Sequence, residues 1–280
     1  MAKLFLSTFL IFSFFFNPAY SKIVPENDLW IPTTQKDVSK ISEASFNSTI
    51  DEIERIYKPI VKERGANLTV VRNWEDGTVN AYASQNGKEW KVAMFGGLAR
   101  HKAVTQDGFA AVVCHELGHH LGGAPKYSNI DWASNEGQSD YFATAKCLRK
   151  YFEKDDNVAL MESVKVPEFA VKKCTEVWSS PEEIAVCKRN AMAGMSLASL
   201  FKELRRLTKP LKFETPDTNV VTRTQHPHTA PQCRLDTYFQ GSLCDISAYE
   251  DVSEDDEVTG VCTRSNDYKL GVRPLCWYKP

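Results

Sequence analysis

The stretch Cys114-His115-Glu116-Leu117-Gly118-His119-His120 constrains this chain more than any other. On a helix, His115 and His119 at i and i+4 stand one turn apart on one face, so their imidazoles converge on a single metal ion. Glu116 lies a step round the same helix, close enough to touch a metal-bound water without ligating the metal. The run Gly108 to Val113 before it is apolar, and Phe109, Val113, Leu117 and Leu121 form a face that anchors the helix in a core. Asp107 is its expected N-cap, Gly122-Gly123 ends it, and Pro125 confirms the stop. A catalytic metal of the zinc type needs three protein ligands and an open position. Two histidines supply two, so a second element must cross this helix.

The loop after Gly122 narrows the choice of that element. A metzincin would place a third histidine or an aspartate six residues beyond His119, and that position is Pro125. A carboxylate on a following helix fits instead. Asn135 caps a helix running to about Phe152, on which Glu136, Asp140, Ala143 and Cys147 share one face. Glu136 is the expected third ligand. Asp140, one turn on, is placed to accept the other ring N–H of His115 and fix its orientation.

The rest of the chain reads as one domain with additions at both ends. Lys3, the apolar run Leu4 to Phe16, Asn17-Pro18 and the small residues of Ala19-Tyr20-Ser21 form a signal peptide over residues 1–21, cut after Ser21. Its apolar core falls short of the ~20 residues that span a bilayer. Residues 22–45 are a loosely held leader. An amphipathic helix follows through Ile50, Ile53, Ile56, Tyr57 and Ile60, kinked or shortened at Pro59 and ended by Gly65. Leu68 to Val71 is strand-like, and the runs 78–84 and 88–95 form a hairpin through Asn86-Gly87. Ser180-Pro181-Glu182-Glu183 is a capping box opening a long helix, and Leu235 to Phe239 starts another.

Export to an oxidising compartment, periplasmic or secreted, favours pairing of all eight cysteines. Nearness in sequence pairs Cys174 with Cys187, Cys233 with Cys244 and Cys262 with Cys276. That leaves Cys114 with Cys147, a clamp between the two helices of the metal site. The tail from residue 245 then reads as an acidic loop and a disulfide-closed hairpin. A net charge of −2 gives no basic field for nucleic acid or an anionic membrane, so the expected partner is a protein or peptide.

His115-Glu116-x-x-His119 followed by Asn135-Glu136-x-x-Ser139-Asp140 resembles the gluzincins, whose thermolysin branch has the same second motif. Upstream, Asn80-Ala81-Tyr82-Ala83, the Gly87 turn, the strand to Phe95 and Gly97-Leu98 look like peptidases related to the CAAX prenyl proteases, HtpX heat-shock proteases and BepA-type proteases. The similarity covers about residues 78–150. It implies an α+β fold, mainly helical and zincin-like, with a small antiparallel sheet beside the active helix. The peptidase domain then spans 46–244, with a disulfide-stapled extension at 245–280. It also implies that Asn80, Ala81, Tyr82 and Ala83 form an exposed edge pairing with the substrate backbone. His226-Pro227 and Arg234 match a later His-Pro and arginine of the family, with His228 competing for the imidazole's role. His226 is expected to donate to the developing oxyanion or to act as a fourth ligand.

The implied activity is that of an exported Zn2+ metalloendopeptidase with Glu116 as general base, acting on soluble substrates without membrane insertion after signal cleavage. The competing readings are a zinc-binding but non-catalytic envelope scaffold or assembly factor, and a disulfide-stapled binding module without metal. Glu116 discriminates the first, because a scaffold needs the ligands and has no use for the base.

Overall fold

The computed structural model describes residues 20–36 and 38–280. Of the targeting segment read over 1–21, only Tyr20 and Ser21 fall among them. The chain runs from strand β1 (Tyr20–Lys22) to helix α1 (Glu43–Glu63), then β2 (Asn67–Asn73), β3 (Ala81–Asn86), β4 (Glu89–Phe95) and the short α2 (Gly96–Arg100). The active helix α3 (Gln106–Leu121) follows, then α4 (Glu136–Phe142), which passes through a π-helical turn (Ala143–Cys147) into α5 (Leu148–Phe152). Helices α6 (Asn157–Glu162), α7 (Glu168–Val177), α8 (Pro181–Leu204) and α9 (Pro231–Ser242) complete the α+β fold.

The four strands lie in the order β1-β3-β4-β2. The hairpin forms as its Asn86-Gly87 turn predicts, with Gly87 at a φ of 57°, open to glycine without strain. The sheet is mixed rather than antiparallel. β2 pairs β4 in parallel, Val70 opposite Val92, because α1 carries the chain back between β1 and β2 and only a crossover of that kind yields this direction.

Helix α3 passes through the centre of the molecule, buried on every side from Gly108 to Leu121. Its N-cap is Thr105, whose hydroxyl accepts from the Gly108 amide at 3.0 Å, and not Asp107. Asp107 sits in the first turn and receives both a 2.9 Å Nε and a 2.9 Å Nη2 bond from Arg189 of α8, tying the two central helices together. Helix α1 neither stops nor shortens at Pro59. Pro59 and Arg55 lie on its exposed side, so the carbonyl that the ring leaves unpaired can bond water. The capping box at Ser180 opens α8 as expected.

Two disulfides match the sequence reading, Cys114–Cys147 and Cys174–Cys187. The other two exchange partners, Cys233–Cys276 and Cys244–Cys262. Cys233 and Cys244 stand near opposite ends of α9, about 16 Å apart at 1.5 Å per residue, well beyond the reach of a disulfide. The tail accordingly forms no hairpin. It folds back over α4: Arg273, fully buried, donates to the Gln138 side chain at 2.7 Å, and Gly271 accepts from the Tyr141 hydroxyl at 2.6 Å. A Cβ on Gly137 would meet the Trp277 ring at 2.3 Å, so glycine there lets the tail lie against α4. The leader is not loose at its start either, since Ile23 and Val24 are fully buried in the main core.

Candidate metal centre and active site

Three carboxylate and imidazole groups meet where α3 crosses α4. Gly118 makes the crossing possible, because a Cβ there would stand 2.9 Å from Ser139 Cα. The Cys114–Cys147 bond fastens α3 to the π turn behind α4. Asn135 starts α4 by accepting from the Gln138 amide at 2.8 Å, which aims Glu136, the first helical residue, at α3.

The ring nitrogens of the two histidines divide their work. His115 Nδ1 donates to Asp140 Oδ1 at 2.7 Å, and His119 Nδ1 donates to the Ser134 carbonyl at 2.8 Å with Ser139 Oγ at 2.9 Å. Both outward Nδ1 positions face acceptors, so both Nε2 atoms turn lone pairs inward. They are 3.1 Å apart, a distance that requires a cation between them, either a proton or a metal. Glu136 closes the triangle, Oε2 lying 3.3 Å from His115 Nε2 and Oε1 3.8 Å from His119 Nε2. Ligand atoms on a tetrahedron with zinc bonds of ~2.0–2.1 Å stand about 3.3 Å apart, so the set fits zinc in size as well as in donor type. Glu136 Oε2 is buried and accepts no hydrogen bond although two imidazole nitrogens are near it, as a metal-directed oxygen does.

Electrostatics follow from burial and pairing. Burial draws the His115 imidazole down, but Asp140 and Glu136 outweigh it and hold its pKa at about 9. His119, with less support, is lowered by burial to about 3. Burial also works against the Glu136 carboxylate, yet His228, His115 and His119 keep it well below the usual carboxylate range. Asp140 is likewise buried and held low, chiefly by Arg234, whose Nε and Nη2 reach its two oxygens at 2.7 Å each. Glu116 differs. Both of its carboxylate oxygens are buried without a partner, and burial pushes it up to about 8.

The remaining expected residues divide. His226 does not bring its imidazole to the cluster: its ring faces Asn135 at 3.4 Å and its carbonyl accepts from the Glu136 amide at 3.2 Å. Pro227 turns the loop so that His228 points inward instead, with Nε2 3.1 Å from Glu136 Oε2. Asn80, Ala81, Tyr82 and Ala83 do lie beside the site, at the start of β3, but not as an exposed edge. β1 pairs with it antiparallel, Ser21 opposite Ala83 and Lys22 opposite Tyr82. His120 is no ligand. It stacks between Trp90 at 5.2 Å and Trp132 at 4.8 Å, donates from Nε2 to the Lys91 carbonyl, and is lowered to about 4 by burial.

Sequence reasoning gave no role to Tyr127, whose hydroxyl donates to Glu136 Oε1 at 2.7 Å, nor to Ser134 and Ser139. Ser139 carried a signal in its position one turn after Glu136. Tyr127 lies in an irregular loop, where spacing has no meaning.

Residues 47–171 match the model of the family described as Peptidase family M48, a span that contains His115, Glu116, His119, Glu136 and Asp140. No curated protein and no solved structure gives a significant match to the chain. The match bears out the resemblance carried by the two motifs and the upstream hairpin.

Proposed function

We propose that this chain, which matches the model of peptidase family M48 over residues 47–171, is an exported zinc metalloendopeptidase of the gluzincin type. The observation that carries the reading is the pairing of two inward lone-pair imidazoles and Glu136 with a neighbouring buried carboxylate, Glu116, that has no structural partner. A buried carboxylate left unpartnered costs a fold several kcal/mol, roughly, and a scaffold would have no reason to keep it. A hydrolase does.

His115, His119 and Glu136 would hold the zinc, which when bound polarises the scissile carbonyl and lowers the pKa of water. Glu116 takes a proton from the attacking water and passes it to the leaving nitrogen. His228 is the donor for the oxygen that gains charge. Arg234, oriented by Asp140, offers Nη1 to a substrate carbonyl, as it does to the Ile23 carbonyl. Asp140 in turn holds His115 in the tautomer a ligand needs.

The setting is proposed on separate grounds. All eight cysteines are paired, which supports an oxidising compartment. A protein or peptide is the substrate class. The test is metal removal: chelation is expected to abolish digestion of an unstructured protein, and stoichiometric zinc to restore it. Digestion that survives complete zinc removal would overturn the assignment.

A further inference from the structure

Residues 21–24 run alongside Glu136 and His228, and the proposed activity gives them no part. They lie along β3 in the place where an extended substrate would add a strand, and the side chains assigned to substrate recognition hold their backbone. The Lys22 carbonyl accepts from His228 Nε2 at 2.6 Å. The Ile23 amide donates to the Ala81 carbonyl at 3.2 Å, and the Ile23 carbonyl accepts from Arg234 Nη1 at 2.6 Å. Asn80 Nδ2 donates to the Val24 carbonyl at 3.2 Å, and the Ser21 hydroxyl donates to Glu136 Oε1 at 2.9 Å. Ile23 and Val24 are fully buried, whereas the Lys22 side chain is part-exposed.

An ordinary edge strand would be held by the sheet alone. Here one peptide group is gripped at both ends, and only one grip belongs to the sheet: the Lys22 carbonyl oxygen is held by the imidazole that lies 3.1 Å from Glu136 Oε2, and the Ile23 N–H by the edge strand. Hydrolysis needs a donor on the carbonyl oxygen and a fixed leaving nitrogen, and Lys22–Ile23 has both.

We propose that the chain binds its own residues 21–24 as substrate and cuts the Lys22–Ile23 bond intramolecularly. The inference rests on the peptidase reading above. Water adds its oxygen to the Lys22 carbonyl carbon, the bond to the Ile23 nitrogen breaks, and both protons of the water end on that nitrogen, the first carried by Glu116 and the second lost from the new carboxyl group. The products are a carboxylate on Lys22 and an ammonium on Ile23. The buried seat of Ile23 assigns the site a preference for a branched aliphatic residue immediately after the cut. Ile23 and Val24 stay anchored by Arg234 and Asn80 after cleavage, so an external substrate must displace them.

The experiment is synthesis of the 280-residue chain in a membrane-free, oxidising cell-free system with zinc, so that no signal peptidase acts. Wild type and Glu116→Gln are compared by intact mass and N-terminal sequencing, and the same samples are assayed on an unrelated unstructured protein. Wild type is expected to begin at Ile23, at a rate independent of its concentration, and Glu116→Gln to remain uncut there. Ile23→Leu is expected to be trimmed and Ile23→Asp not. Wild type that digests the unstructured protein while its Lys22–Ile23 bond stays intact overturns self-processing and leaves the peptidase reading standing. A rate proportional to concentration, or equal trimming of the two Ile23 variants, overturns the intramolecular seat. Zinc-loaded wild type that neither digests nor trims overturns both.

Discussion

Asp140→Asn separates what holds the fold from what holds the metal. Asp140 is fully buried and accepts three bonds of 2.7 Å, one from His115 Nδ1 and two from Arg234. An amide in its place has one oxygen to serve both partners and turns an N–H2 group towards a donor. Arg234 is then left as a buried, incompletely paired charge, a loss of about 3–5 kcal/mol in comparable sites. At the lower end, the metal-free protein should melt roughly 6–12 °C earlier. His115 also loses the carboxylate that fixes its tautomer, and outer partners of this kind change metal affinity about 10–100-fold, or ~1.4–2.7 kcal/mol. The assays are thermal unfolding in excess chelator and zinc competition against a chromogenic chelator. Asp140→Leu combined with Arg234→Met removes both charges, so it should recover most of the stability and none of the zinc affinity. A single Asp140→Asn change that alters neither quantity would refute the assigned roles.

Three further changes address other parts of the account. His228→Ala should lower kcat on an unstructured protein by roughly 10²–10³, the loss of one oxyanion donor, while His226→Ala stays within a few-fold; the reverse order would return the role to His226. Gly118→Ala gains about 1 kcal/mol of helix propensity but forces α3 away from Ser139, so chemical denaturation should show a net loss of ~1–2 kcal/mol together with weaker zinc binding. Burial raises the Asp236 carboxyl to about 6, above its unfolded value, so its contribution is fully present below the ordinary carboxylate range and is lost as pH rises through 6. Its contribution should therefore fall between about pH 4 and 6, read as the difference in stability between wild type and Asp236→Asn across that interval.

The candidate metal site was legible because the His115, His119 and Glu136 cluster lies in short-range spacing. His115, His119, Glu136 and Asp140 each sit at a helical interval that puts them on a defined face, and the caps at Asn135 and Ser180 are local signals the fold keeps. What failed depended on distance along the chain. Cys233 pairs with Cys276 because a rigid helix carries Cys244 away from it, which nearness in sequence cannot express. The choice between His226 and His228 is made by a proline-bent loop with no period. The partner of the Asn80–Ala83 edge straddles the boundary between the segments read as signal peptide and as leader, and no local pattern announces a strand of three residues.

The central claim, that Glu116 is the base of a zinc peptidase, is met most directly by measuring zinc content and turnover of an unstructured protein on the same preparations of wild type and Glu116→Gln. The account predicts one zinc per chain in both and at least a ~10²-fold loss of kcat in the variant. Equal turnover with equal zinc would contradict it.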